Sequence, residues 1–281
     1  ITTNYISPVK SSARATASLV GNYVANQITN WDRSVKDSGS APWIDSVTTF
    51  GLETSSAASS NVIASNRPRE GILRTSESPY SPKGTSWNFS SYYKGRIMVR
   101  NKDTSSLVMP QSSSWTLEGW ASQSQWGQSG SNYTSATVDW NAIIATENYD
   151  VTGGGMALVF NATSKKIDLR VSTGTSDSVL IAGSTVITRT NVSNAYGGYP
   201  LGATLSGWVH WAIVNNSGTI TLYVNGRSEG SATQPYDFNT TSGDLMIACS
   251  KYYAVGAGAD DMCIMSGYIS DIRLDKSAVY T

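Results

Sequence analysis

Apolar and polar residues alternate with a period of two along GWVHWAIVNNSGTITLYVNG, Gly207 to Gly226. Two β-rich runs, Trp208 to Val214 and Thr219 to Val224, flank the polar tetrapeptide Asn215-Asn216-Ser217-Gly218, which predicts a hairpin. A four-residue loop sets Val214 opposite Thr219, and the remaining cross-strand pairs follow because side chains alternate faces. One face then holds Val209/Val224, Trp211/Leu222 and Ile213/Ile220, all apolar. The other holds Trp208/Asn225, His210/Tyr223, Ala212/Thr221 and Val214/Thr219. The first belongs in a core, and the second, with the chain's only histidine, is either solvated or covered by loops. A slip of one residue would mix the two sets, so this pairing is the expected one.

The same alternation, broken by turn residues, recurs from about Gly71 onward. It predicts strands at Gly84 to Ser90, Ile97 to Arg100, Ser114 to Ser122, Ala142 to Thr146, Met156 to Asn161 and Lys166 to Ser172. Further strands are expected at Val179 to Ile181, in the hairpin, at Asp244 to Cys249 and at Gly267 to Leu274. No helical stripe of useful length interrupts them, and no coil-length repeat marks a parallel β-helix. The expected fold is all-β, a two-sheet antiparallel jelly-roll sandwich over residues 71–281. Residues 1–70 differ. Ser11 to Ile28 could form a short helix, and the Ser/Ala/Asn-rich stretches after it have little to bury. They read either as an extended, partly helical arm that attaches the domain to something or lets it oligomerise, or as an ordered extension packed on the main domain.

Composition narrows the partners. The formal net charge is zero and only 14% of residues are charged, which argues against nucleic acid, since that would call for a basic stripe. No apolar run is long enough for a membrane span, and no signal-peptide pattern opens the chain. The first residue is Ile, which implies processing or an internal start to the numbering. Cys249 and Cys263 are either two small buried thiols or, with a strand–loop–strand between them, a disulfide.

Three stretches together resemble the laminin-G-like, concanavalin A-like family. The hairpin matches its Trp-x-His-x-Ala-x-Val strand and Leu-Tyr-Val-Asn-Gly strand. SSSWTLEGWAS, Ser112 to Ser122, is similar to its early strand. SGYISDIRLDKSAVYT, Ser266 to Thr281, is similar to its closing strand, with Gly267, Ile269, Asp271, Arg273 and Tyr280-Thr281 in the usual places. SPYSPKGTSWNFSS, Ser78 to Ser91, is a looser match to the entry segment. The form of the ending resembles domains that decorate tailed-bacteriophage virions as fibre or capsid and tail decoration subunits. That resemblance implies a virion surface protein acting by adhesion and coverage. It further implies attachment to other virion proteins through residues 1–70, a homo-oligomer (often a trimer in fibres) and contact with a cell-surface glycan. No membrane insertion and no required cofactor are expected.

Candidate chemistry was weighed on that fold. His210 lacks a Gly-x-Ser-x-Gly partner, so a place in the sheet between Trp208 and Tyr223 is expected for it. Sandwich glucanases set three carboxylates on one face as Glu-x-Asp-x-x-Glu. None of the six glutamates here begins that pattern, although Glu118 shares a strand face with Trp120. No catalytic residue is therefore expected; a polysaccharide-degrading glycosidase on the same fold, or a secreted bacterial carbohydrate-binding module, is the alternative. The turns TENYDVTGGG and GAGADDMC could lend oxygens to calcium through Glu147, Asp150, Asp260 and Asp261, against their ordinary reading as solvated turns. Loop aromatics are the best pointer to a binding surface: Trp126, Tyr133, Trp140, Tyr196, Tyr199, Tyr252 and Tyr253. Rings there would stack on sugars or anchor protein contacts, against the plainer role of plugging the sandwich ends. Six Asn-x-Ser/Thr sequons are what so Asn-, Ser- and Thr-rich a chain produces by chance.

Overall fold

A computed structural model describes residues 107–123, 140–146, 154–161, 163–172, 176–187, 189–191, 204–239, 245–251, 262–265 and 267–280. It also describes the strands Leu19–Tyr23, Trp43–Ile44, Gly51–Ser55, Ile72–Thr75, Ser86–Phe89 and Arg96–Val99. Every regular element among the described residues is a strand.

The strands form two large sheets. The first, of eight strands, runs in spatial order Arg227–Thr233, Thr219–Val224, Val209–Asn216, Trp115–Gln123, Gly267–Asp275, Ser86–Phe89 and Ile72–Thr75, with Leu19–Tyr23 also pairing to Gly267–Asp275. The second, of ten, runs Asp177–Ile181, Lys166–Ser172, Gly155–Asn161, Trp140–Thr146, Leu245–Ile247, Arg96–Val99, Gly51–Ser55 and Trp43–Ile44, with Cys249–Lys251 and Met262–Ile264 to one side. The pairings are antiparallel except for one parallel bridge, Ile264 to Ala142. The inner faces meet in a single apolar core. Leu117, Trp211, Ile213 and Ile272 come from the first sheet, and Ile144, Leu158, Phe160 and Leu169 from the second. This is the two-sheet jelly-roll sandwich the alternation predicted.

The central hairpin keeps its faces and changes its register. Asn216 pairs with Thr219, and Trp211, Ile213 and Asn215 lie opposite Val224, Leu222 and Ile220. The turn therefore has two residues, Ser217 and Gly218, where four were expected. Both have positive φ, 49° and 101°, the primed geometry whose twist suits flanking strands. Asn215 explains the longer strands. It is fully buried, its Nδ2 donates to the carbonyls of Pro110, Gln111 and Ser113, and its Oδ1 accepts from Gly218 N at 2.9 Å. A polar residue so satisfied costs little to bury. Because the register moved by two, every side chain stays on its assigned face.

The next strand, Arg227–Thr233, follows a second two-residue turn, in which Asn225 and Gly226 have φ of 51° and 77°. Alternation predicts no strand here because this is a half-exposed edge strand with no apolar periodicity. Within residues 1–70, Leu19–Tyr23 lies in the stretch expected to be helical and is instead a strand paired to Gly267–Asp275. Val20 and Tyr23 suit a pleated surface better than a helix. Gly51–Ser55 pairs with Arg96–Val99 on one side and with Trp43–Ile44 on the other; the rest of residues 1–70 lie outside the described residues.

One polar clamp joins the two sheet edges. Glu229, on the edge strand of the first sheet, accepts hydrogen bonds from the backbone N–H groups of Ser184 and Thr185 and from both hydroxyls. Ser184 and Thr185 follow the edge strand of the second sheet. Partial burial pushes the Glu229 carboxyl up, but these four bonds together outweigh it and hold the group below its ordinary value. A depressed folded pKa means the clamp contributes fully above the ordinary carboxylate range and is lost as pH falls through the folded value. Urea midpoints followed against pH are expected to show wild type above Glu229→Gln near neutrality, with the two converging in acid.

Candidate functional site

The outer face of the first sheet carries the most concentrated chemistry among the described residues. Alternation along Trp115–Gln123 sends Leu117, Gly119 and Ala121 into the core and Thr116, Glu118, Trp120 and Ser122 outward. On the neighbouring strand His210 pairs directly with Trp120, and Ala212 with Glu118. On the other side, Ser270 lies opposite Trp120 and Arg273 opposite Glu118. That strand spends one residue more than its partner between those two pairs, a bulge in which Asp271 has a φ of 51°. The extra residue bends the strand and returns Ile272 and Leu274 to the core while Arg273 points out.

Beyond Asp275 the chain turns back across this face as a strap, Lys276 to Tyr280, with no strand pairing of its own. Thr116 fastens it twice: Oγ1 donates to Ser277 O at 2.7 Å and accepts from Val279 N at 3.0 Å. Ser277 Oγ donates to Asp275 at 2.7 Å. Lys276 Nζ donates to the carbonyl of Val108, and burial pulls its pKa down. The strap delivers Tyr280, whose hydroxyl donates to Glu118 Oε2. His210 Nε2 stands 3.3 Å from that same oxygen.

Aromatic rings wall the cluster. Trp120 meets His210 edge to face at 5.0 Å, Tyr280 meets it at 6.2 Å, and Tyr223 lies 5.8 Å from Tyr280. Farther along the same face Trp208 and Tyr268 pair at 6.1 Å. The result is a sealed polar cluster, with Glu118, His210 and Trp120 only 5%, 4% and 7% exposed. A carboxylate in this setting accepts hydrogen bonds. With the strap in place it is shielded from solvent.

The sequence expectations meet this geometry unevenly. His210 is on the outer face, as expected, but its neighbours are Trp120, Tyr280 and Glu118 in place of Trp208 and Tyr223. The register shift moved Tyr223 opposite Ala212. Glu118 and Trp120 do share a face. Tyr280 was missed as a member, and its only signal was its place in the closing motif. Of the loop aromatics, Trp140 opens a strand paired with Asn161, while Trp126, Tyr133, Tyr196, Tyr199, Tyr252 and Tyr253 lie outside the described residues. So do Glu147, Asp150, Asp260 and Asp261. Among the described residues no cluster of three or more His, Cys, Asp or Glu side chains could hold a metal. Cys249 is buried. It pairs with Ile264 while Cys263 pairs with Ser250, so the two cysteines occupy alternate positions of their ladder.

A two-sheet jelly roll with an aromatic-walled carboxylate on one outer face defines a lectin-like sandwich. The family model for the Concanavalin A-like lectin/glucanases superfamily matches residues 132–279, more than half of the chain. The chain belongs to that superfamily. Among solved structures it is similar to domain 4 of AbnA, a GH43 extracellular arabinanase from Geobacillus stearothermophilus, in complex with arabinotriose. The identity is 13%, the TM-score 0.53, and 93% of each chain is covered. It is also similar to the binding domain of botulinum neurotoxin DC in complex with SialylT, at 11% identity and a TM-score of 0.53, covering 94% of this chain and 49% of that one. The binding domain of Paraclostridial Mosquitocidal Protein 1 matches at 12% identity and a TM-score of 0.51, covering 94% and 50%. This chain thus spans about half the length of the toxin binding domains and nearly all of the arabinanase domain. No curated protein sequence matches it.

Proposed function

We propose that this chain is a glycan-binding adhesion domain that cleaves nothing, carried on the surface of a tailed-bacteriophage virion as a fibre or decoration subunit. The observation that carries the adhesive reading is the aromatic-walled carboxylate of the outer face: Glu118 is engaged by Tyr280 and faces His210 among the rings of Trp120 and Tyr223. The fold likeness to a domain in complex with arabinotriose and to one in complex with SialylT supports a saccharide as the ligand class. The virion setting rests on the form of the closing segment, Gly267 to Thr281. In this reading residues 1–70 contact other virion proteins, the domain works as a homo-oligomer outside the cell, and no cofactor is required. Calcium, if used, is held by Glu147, Asp150, Asp260 and Asp261. Many copies on one particle turn weak single-site affinity into firm attachment.

Retention of the purified chain on immobilised arabinan or sialylated glycans, together with its peptides in purified phage particles, is the expected result. Glycan retention without presence in particles would leave a secreted carbohydrate-binding module. Absence of retention on every glycan would overturn the adhesive reading.

A further inference from the structure

We propose that the Lys276–Tyr280 strap is a displaceable plug over a saccharide slot on the outer face of the first sheet, in which the Tyr280 phenol holds the place of a sugar ring. This rests on the glycan-binding reading and deepens it by naming where a sugar sits and what gates it.

The first support is the chemistry under the strap. A carboxylate accepting a hydroxyl proton, set among aromatic rings, matches the needs of a pyranose: polar hydroxyls at the edge, C–H groups on the face. Tyr280 donates to Glu118 as a sugar hydroxyl would, and its ring lies within 6.2 Å of His210 and 5.8 Å of Tyr223.

The second support is an unfilled valence. His210 is 4% exposed, and its Nδ1 has no hydrogen-bond partner among the described residues. Buried polar atoms are rarely left so. A phenol placed on Glu118 by a chain segment has only one hydroxyl to offer. A saccharide brings several, each able to donate or accept, and so suits either tautomer of the ring.

The third is the way the strap is held. The sheet beneath it is ladder-bonded, and Thr116, Glu118 and His210 are buried. The strap has no ladder; side-chain groups of Thr116, Tyr280, Lys276 and Ser277 are among its fastenings, and all five of its residues are only half-buried. Segments with few buried contacts and few backbone bonds are the ones that open locally.

Population arithmetic sets the size of the effect. If the slot is open in about 1–10% of molecules, removing the plug tightens apparent affinity about 10–100-fold. Calorimetric titration with arabinotriose and with a sialylated trisaccharide tests this on the full chain. Four forms are compared, each with a melting curve: wild type, Tyr280→Ala, Tyr280→Phe, and Tyr280→Ala with Glu118→Gln. Tyr280→Ala is expected to bind one of the two at least about tenfold more tightly than wild type. The double variant is expected to lose most of that gain, because a charged acceptor is stronger than an amide. Tyr280→Phe keeps the ring and releases only the Glu118 bond, so a gain of a few-fold is expected.

A folded Tyr280→Ala that binds no more tightly, or a gain that survives Glu118→Gln, overturns the plug. Should Tyr280→Ala fail to melt cooperatively, unchanged affinity in Tyr280→Phe overturns it equally. Equal binding by all four forms overturns the plug and leaves glycan binding to another surface. No binding by any form overturns both.

Discussion

Gly267→Ala is expected to be the most damaging small substitution in the sandwich. Gly267 opens the closing strand with a φ of 151°, and a Cβ built there would lie 2.1 Å from Ser122 O and 3.1 Å from Gln123 Cα. Both atoms are backbone of the adjacent strand, so no side-chain rotation relieves the clash. The two central strands must part where Gly267 pairs with Gln123. A loss of more than about 3 kcal/mol is expected, since overpacking and backbone strain add here. Gly119→Ala supplies the graded comparison. Its Cβ would meet Trp211 Cζ2 at 2.8 Å, the edge of a core side chain that can shift a little, for a cost of about 1–3 kcal/mol. At Gly207 a Cβ meets nothing within 4 Å, so Gly207→Ala should denature close to wild type. Urea midpoints should fall in that order; a Gly267→Ala chain as stable as wild type would mean the closing strand lies elsewhere.

The second large effect is expected at Glu118. Truncation to alanine leaves the Tyr280 hydroxyl and His210 Nε2 facing a dry gap, and a buried polar pair stripped of its acceptor costs about 3 kcal/mol. Glu118→Gln retains an oxygen for Tyr280 and should cost about 1 kcal/mol. An exposed surface glutamate would change stability by no more than about 0.5 kcal/mol either way. Equilibrium unfolding of the three chains separates these outcomes, and a neutral Glu118→Ala would show that the strap does not cover the face.

How much of this was legible before the structure depends on what kind of information each feature needs. Side-chain faces need only a period of two. The inward set Val209, Trp211, Ile213, Ile220, Leu222 and Val224 is buried to 3% exposure or less, as alternation implied. Register needs the turn, and that hinged on whether Asn215 belonged to loop or strand. Its three carbonyl partners come from residues 110–113, so nothing within the hairpin announced them. Edge strands escape for another reason. Arg227–Thr233 is held by ladder bonds to Thr219–Val224 and hides almost nothing, so its Ser- and Gly-containing sequence looks like a turn.

The site divides along the same line. Glu118 beside Trp120 on one face, and His210 on the side away from the core, follow from alternation. Their closure by Tyr280 follows from a bulge at Asp271 and a strap that crosses the sheet, and neither leaves a periodic trace. Apart from Trp140, which opens a strand, the loop aromatics and the acidic residues of the turns that stood out by composition lie outside the described residues, so the binding surface they imply rests on composition alone.

The central claim is that the carboxylate on the outer sheet face serves binding and stability while the glycan stays whole. Incubating the purified chain with the glycan that retains it, and measuring new reducing ends, tests that most directly. The account predicts none, for wild type and for Glu118→Gln alike. Sustained release of reducing ends by wild type, abolished by Glu118→Gln in a chain that still folds, would contradict it.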